Sequence, residues 1–285
     1  FVNDIFTQKV NKLVFYISLP CLLFSKTAQF SLEGNSAIRI SLVLFFCMLC
    51  CLILGYLTGW ILKIPRFSLG TFIQGAYRGN LVYVGLPIVF FSFSNSPRNN
   101  IGTIESLAII SIVPIMISYN IVAVVILQGK SKKQGKRIIT YFLALCRNPI
   151  ILSCITGYLY SLSGFLLPPI IFRTCSTIGQ MALPLALLGI GTTLRFEGLR
   201  KNLIPSVSAA CIKVILSPVL GYLLGTFFSL QSYEMKISLI FCSCPTAILS
   251  FVMAQQMGGD EKMSIGIIVF SIFLFFFSCG LILSI

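Results

Sequence analysis

The chain has 285 residues, of which 57% are hydrophobic and 10% are charged, and its 21 Lys and Arg outnumber its 7 Asp and Glu. This composition excludes an ordinary soluble domain, in which about a quarter of the residues are charged. The sequence contains no His, which excludes imidazole metal ligands, Ser-His-Asp chemistry and a histidine proton relay.

Long apolar runs follow one another along almost the whole chain. A helix needs about 20 apolar residues to cross a bilayer, so these runs predict nine membrane-spanning helices and an all-α polytopic membrane protein. The predicted spans are residues 11–30, 38–62, 69–94, 104–128, 140–162, 168–194, 203–229, 235–257 and 264–285. The eleven Cys lie in or at the ends of these runs without metal-site spacing, so we expect reduced packing residues, no metal and no cofactor.

A basic segment at 129–139 separates the chain into two halves, 1–128 and 140–285. Most Lys and Arg of the predicted connections fall on the same side of the membrane as this segment. The positive-inside rule therefore predicts that residue 1 and the basic loop are cytoplasmic and that the C-terminus lies outside. We expect an integral protein of a plasma or inner membrane.

The two halves share short sequences in the same order. The pairs are Leu19-Pro20 with Leu183-Pro184, residues 54–59 with 220–225, and Gly85-Leu86-Pro87 with Cys244-Pro245-Thr246. Such self-similarity predicts an internal repeat, and a unit of five spans places the two copies in opposite orientations. The first half shows four spans, so we expect a ten-helix parent fold whose first helix is missing here.

Two predicted spans contain helix-breaking residues at corresponding places. Gly79-Asn80 and then Gly85 and Pro87 interrupt the third span, and Cys244-Pro245 interrupts the eighth. Paired interruptions in inverted halves indicate a transporter binding site, because broken helices are tolerated only inside protein or beside a cavity. Simple kinks are the alternative, and it applies most to Pro20 and Pro184, which could merely shape scaffold helices.

The charges near these breaks favour an anionic substrate. The seven Asp and Glu lie at span ends or in connections, whereas Lys213 lies inside the seventh span and Arg78 beside the break in the third. Half-helix N-termini add partial positive charge, and Asn80 and Thr246 add neutral hydrogen-bonding groups. The alternative for the two cations is that their side chains reach towards an interface.

Several segments resemble the auxin efflux carrier family, which includes plant auxin exporters and bacterial organic-acid permeases. They are residues 11–26, 79–91, 147–161, 182–194 and 244–264, with N-x-x-x-x-G-x-P and P-T-A as the specific elements. The resemblance implies two inverted repeats of five helices, with two broken helices that cross at Pro87 and Pro245. It also implies that Asn80 contacts a substrate carboxylate.

The resemblance further implies a scaffold, or homodimer, domain from 11–30 and 140–194 and a mobile domain from 38–128 and 203–285. The chain departs from the plant exporters in its short basic loop and in Arg78, so a short-loop organic-anion permease is the better description.

No GxxxxGK[ST] motif is present, which favours a secondary carrier rather than an ATP-driven one. A sodium- or proton-coupled symporter and a membrane receptor that uses the same site are the alternatives. A membrane enzyme is disfavoured because the spans lack His, Asp and Glu.

Overall fold

The computed structural model describes residues 4–28, 35–93, 101–128, 149–163, 165, 167–182, 184–185 and 203–284. Within these ranges the chain is helical, and its single β-type feature is an isolated bridge. The helices are α1 (Asp4–Leu13), α2 (Leu19–Thr27), α3 (Ser36–Ile61), α4 (Arg66–Tyr77), α5 (Leu86–Phe93), α6 (Ile101–Gln128), α7 (Pro149–Leu162), α8 (Pro169–Gln180), α9 (Leu203–Cys211), α10 (Ser217–Phe227), α11 (Ser232–Ser243), α12 (Leu249–Met257) and α13 (Glu261–Ser284).

Among the residues that the structure describes, four uninterrupted helical stretches are long and apolar enough to cross a membrane. They are Ser36–Ile61, Ile104–Leu127, Leu203–Phe227 and Glu261–Ile282. Large apolar side chains are exposed on them, as at Trp60 and Phe227, which are 79% and 80% exposed. Such a surface suits contact with lipid rather than water, so the chain is an integral membrane protein whose described part is helical. The count of nine spans stays a prediction.

In the described part of the chain, three π-helical segments lead directly into an α-helix, and each ends one residue before an X-Pro pair. They are Val14–Ser18, Leu81–Gly85 and Ile212–Leu216, followed by Pro20, Pro87 and Pro218. A helical proline lacks an N–H and its ring clashes with the carbonyl four residues earlier. In all three cases that carbonyl lies in the π segment, where the wider turn moves it away. The helix therefore continues through each proline.

The chain forms two compact units. One comprises Phe1–Ala37, Phe90–Pro114 and Lys133–Leu194, and the other comprises Ile38–Val89, Ile115–Lys132 and Arg195–Ile285. In the first unit α2 packs on α7 and α8, and a Cβ at Gly179 would lie 2.7 Å from the Leu22 Cα, so these helices are in close backbone contact.

The second unit contains the interruptions of both broken spans. Its core brings α13 against α4 and α9, and α11 against α10 and α13. The expected scaffold segments, as far as they are described, fall in the first unit, and most of the expected mobile segments fall in the second. The exception is residues 90–114, which belong to the first unit. The basic segment 129–139 lies outside the described residues.

Candidate functional site

Both spans predicted to be broken are interrupted in the structure. Helix α4 ends at Tyr77, and Arg78, Gly79 and Asn80 follow in non-helical conformation before the π segment begins at Leu81. Gly and Asn are poor helix formers, which explains a break there without a proline. Pro87 lies in the first turn of α5, so the first break precedes it.

The second interruption begins at Cys244. Helix α11 ends at Ser243, and Cys244 is extended, with φ −49° and ψ 137°. The cause is Pro245, because the ring of a proline disfavours the α conformation of the preceding residue. Residues 244–248 then lead into α12.

The two interruptions are joined by backbone hydrogen bonds. The Asn80 N–H donates to the Pro245 carbonyl at 2.8 Å, and the Ala247 N–H donates to the Arg78 carbonyl at 3.0 Å. Gly79 and Thr246 form the antiparallel bridge between them. The broken spans thus satisfy each other's exposed backbone groups, as an apolar environment requires. We call residues 78–80 and 244–247 the crossing; Pro245 lies in it and Pro87 does not.

The crossing has two faces. Arg78 is extended and Gly79 forms the bridge; because successive side chains of extended backbone point in opposite directions, the side chain of Arg78 faces one way and position 79 faces the other. A Cβ at Gly79 would lie 2.9 Å from the Lys213 Cε and 3.3 Å from its Nζ. Lys213 therefore lies on the face opposite to that of Arg78.

Thr246 is fixed in place by two hydrogen bonds. Its hydroxyl donates to the Gly75 carbonyl at 2.8 Å, and its N–H donates to the Ser271 Oγ at 3.0 Å. The only hydroxyl proton of Thr246 is thus used within the protein. Thr246 ties the crossing to α4 and α13.

The side chain of Asn80 has no such commitment. Asn80 is 5% exposed, and its amide forms no hydrogen bond in the described part of the chain. Its carbonyl accepts from the Val84 and Gly85 N–H groups at 3.2 Å, so the main chain is held while the side chain is free. An Asn before a helix usually caps it, and the absence of that bond here leaves the amide available.

Arg78 is a buried cation with a sparse set of partners. Arg78 is 3% exposed. One guanidinium nitrogen donates to the Asn120 Oδ1 at 2.6 Å, and another donates to the Met253 Sδ at 2.9 Å. The fully buried Gln74 also donates to that sulfur, at 3.6 Å, and its Oε1 has no partner in the described structure. A thioether is a weak acceptor, so two strong donors converge on a poor partner.

Lys213 lies in the π segment Ile212–Leu216 and is 1% exposed. Its ammonium donates to the carbonyl of Cys242, in the last turn of α11. Nearby, the Cys47 thiol contacts the Ser217 carbonyl at 3.2 Å and the Cys242 thiol at 3.6 Å. This polar cluster within the second unit was not predicted.

The remaining residues singled out from the sequence have packing positions. A Cβ at Gly85 would lie 2.7 Å from the Phe241 Cδ1 and 2.9 Å from the Cys244 Sγ, so Gly85 permits close packing of the two broken spans. Pro20 follows the first π segment, and Pro184 is exposed. Both prolines belong to the first unit, whereas the crossing belongs to the second.

One ion pair was not predicted from the sequence. The Arg39 guanidinium in the first turn of α3 contacts the Glu234 carboxylate in the first turn of α11 at 2.9 Å. Glu234 is fully buried and also accepts from the Gln231 N–H at 2.9 Å. The apolar runs place both residues near the starts of predicted spans, but they do not indicate which helix ends meet.

The chain matches a family model described as "Membrane transport protein" over residues 4–283. It is 23% identical over 261 residues to an uncharacterized transporter of Methanocaldococcus jannaschii, a match that covers 89% of this chain and 81% of the relative. It is 24% identical over 271 residues to a proposed malonate transporter of Rhizobium meliloti, with 91% and 81% covered.

Proposed function

Because the chain belongs to the membrane transport protein family, which is that of the auxin efflux carriers, we propose that it is a secondary carrier for a small organic anion. The substrate carboxylate binds at the Asn80 and Arg78 face of the crossing. Efflux proceeds by alternating access of an elevator type, in which the second compact unit moves with its substrate.

The observation that carries this proposal is the uncommitted amide of Asn80. A polar side chain that is 5% exposed ordinarily has a hydrogen-bond partner, and the Asn80 amide has none among the described residues. It lies at the N-terminus of the stretch Leu81–Phe93, whose first N–H groups carry partial positive charge. An amide N–H beside a helix N-terminus suits a carboxylate oxygen.

Arg78 supplies the full positive charge. In the described part of the chain its guanidinium has an amide oxygen and a thioether as hydrogen-bond partners and no carboxylate. A buried cation is stabilised by an anion that approaches it, and a guanidinium presents paired donors that match a carboxylate. The relative described as a proposed malonate transporter supports a carboxylate as the substrate class.

The driving force follows from the charge of the substrate. One negative charge gains about 2.3 kcal/mol when it leaves a cell whose interior is 100 mV negative. Export of an anion therefore needs neither ATP nor a coupling ion.

Under this proposal the chain lies in a plasma or inner membrane with residue 1 and the segment 129–139 on the cytoplasmic side.

The same proposal assigns a symmetric architecture. Residues 1–128 and 140–285 form inverted repeats, each of which contributes one broken span to the crossing. The first compact unit forms the static scaffold and the surface of a homodimer. The presence of one interruption in each half, joined to the other through backbone bonds, supports this arrangement.

Transport into proteoliposomes tests the proposal. The protein is reconstituted, and uptake of labelled malonate, malate and indole-3-acetate is measured under an imposed membrane potential. Saturable flux of at least one carboxylate that follows the sign of the potential is expected. Flux that appears only with a sodium or proton gradient identifies a symporter instead, and specific binding without flux identifies a receptor.

A further inference from the structure

Lys213 places a positive charge at the C-terminal end of a broken helix. Its ammonium donates to the Cys242 carbonyl, one residue before α11 ends at Ser243. The last carbonyls of a helix have no partner within the helix and carry partial negative charge. In carriers with broken helices, such carbonyls are among the groups that coordinate a coupling Na⁺.

The surroundings are shaped for the lysine side chain. Gly79 leaves the space that the Cε and Nζ atoms occupy, since a Cβ there would approach Cε to 2.9 Å. The π segment Ile212–Leu216 carries Lys213 into the interior, where the residue is 1% exposed. The ammonium forms no ion pair among the residues that the structure describes. It is therefore a net positive charge beside carbonyl and thiol groups.

We propose that the Lys213 ammonium is a resident cation, that is, a positive charge fixed to the protein. It takes the place at the crossing where an ion-coupled carrier binds Na⁺. This inference rests on the proposed anion-carrier function and adds the reason why no coupling ion is required. Lys213 is thus a positioning residue: it stabilises the carbonyl end of α11 behind the crossing, while the substrate binds at the opposite face.

The first test replaces the ions around the unaltered protein. Carboxylate flux is measured at a fixed membrane potential in Na⁺, in K⁺ and in N-methylglucammonium. Equal rates in the three media are expected, because the cation at the crossing is covalently attached. A rate that falls more than tenfold when Na⁺ is removed would overturn the inference.

The second test removes the ammonium and supplies it again. Lys213→Ala lacks three side-chain carbons and the amine, the same number of heavy atoms that n-propylammonium contains. We expect at least a tenfold loss of flux in N-methylglucammonium and partial recovery with n-propylammonium or Na⁺. Wild-type flux in this variant without a small cation would contradict a resident-cation role, and so would a loss that neither cation restores.

A matched pair of variants controls for space and for charge. Lys213→Met fills most of the same volume without charge, so it should lose flux and stay insensitive to added cations. Lys262→Ala removes an exposed lysine of α13 and should behave as the unaltered protein does. Recovery of the Met variant by n-propylammonium would show that the cation acts elsewhere.

Thermal unfolding in detergent separates this inference from the proposed function, because it requires no transported substrate. n-Propylammonium should raise the Tm of Lys213→Ala and leave that of the unaltered protein unchanged. If no carboxylate is transported but this shift is seen, the proposed function fails and the resident cation stands. If the Tm does not shift, the inference fails whatever the transport result.

Discussion

Replacing Asn80 by Ala removes the one buried amide at the crossing that the described structure leaves without a partner. Its carbonyl bonds to Val84 and Gly85, and its N–H bond to Pro245, belong to the backbone and survive the change. No cap is lost, since the side chain does not bond to the following N–H groups. Folding stability should therefore change by no more than about 1 kcal/mol.

The effect on transport should be much larger. A hydrogen bond to a charged group contributes about 1.5–3 kcal/mol, and each 1.4 kcal/mol is a factor of about ten in affinity. If the amide donates one bond to the substrate carboxylate, Asn80→Ala raises the half-saturating concentration by about 10- to 150-fold. Asn80→Asp keeps the shape and adds a negative charge beside Arg78, so it should repel an anion and abolish flux.

The assay is concentration-dependent carboxylate uptake into proteoliposomes, with the amount of folded protein measured by size-exclusion chromatography. Gln180→Ala is the matched control, because it removes an exposed amide of α8 in the other compact unit. It should leave both affinity and rate unchanged. Asn80→Ala with wild-type affinity would refute the site, and a loss of folded protein would refute the argument that the side chain carries no structural bond.

The other variants address neighbouring contacts. Arg78→Gln should weaken carboxylate affinity by about 10- to 100-fold, whereas a change of maximal rate alone would place the guanidinium outside the site. Gly79→Ala introduces a Cβ 2.9 Å from the Lys213 Cε and should lower both flux and Tm, while Gly280→Ala, with open space around it, should lower neither. Arg39→Ala leaves Glu234 buried without its ion pair and should cost about 1–3 kcal/mol, measured by thermal unfolding; additive effects in a double-mutant cycle with Glu234→Gln would show that the pair contributes nothing.

Sequence reasoning located the crossing because helix breaking is a local property. Gly79-Asn80 and Pro245 disfavour helix whatever surrounds them, and the structure interrupts both spans there. The family resemblance implied that the first span crosses at Pro87, which instead lies in the first turn of α5 after a π segment. Proline is tolerated there because the wider preceding turn removes the clash, and apolar patterning does not indicate a π segment.

The contacts of the site depend on residues far apart in sequence. Asn120 and Met253 contact Arg78 from helices 42 and 175 residues away, and neither carries a motif. Lys213 and Arg78 were predicted together as substrate contacts, yet the alternation of the extended segment places them on opposite faces of the crossing. The close approach of the Lys213 side chain to Gly79 reveals that division.

The bond from Thr246 to the Gly75 carbonyl joins residues 171 positions apart, and this separation bears on how the chain enters the membrane during its synthesis. At about 5–20 residues per second, roughly 10–30 s pass between translation of the first interruption and translation of its partner. Throughout that interval the backbone groups at Arg78 and Asn80 lack the acceptor and donor that residues 245 and 247 later provide, and hydrocarbon penalises such groups by several kcal/mol each. The segment Arg66–Phe93 must therefore wait in a hydrated or chaperoned position. In ribosome-bound chains that stop short of Cys244, this segment should remain accessible to water-soluble labels and to proteases long after α3 has become protected.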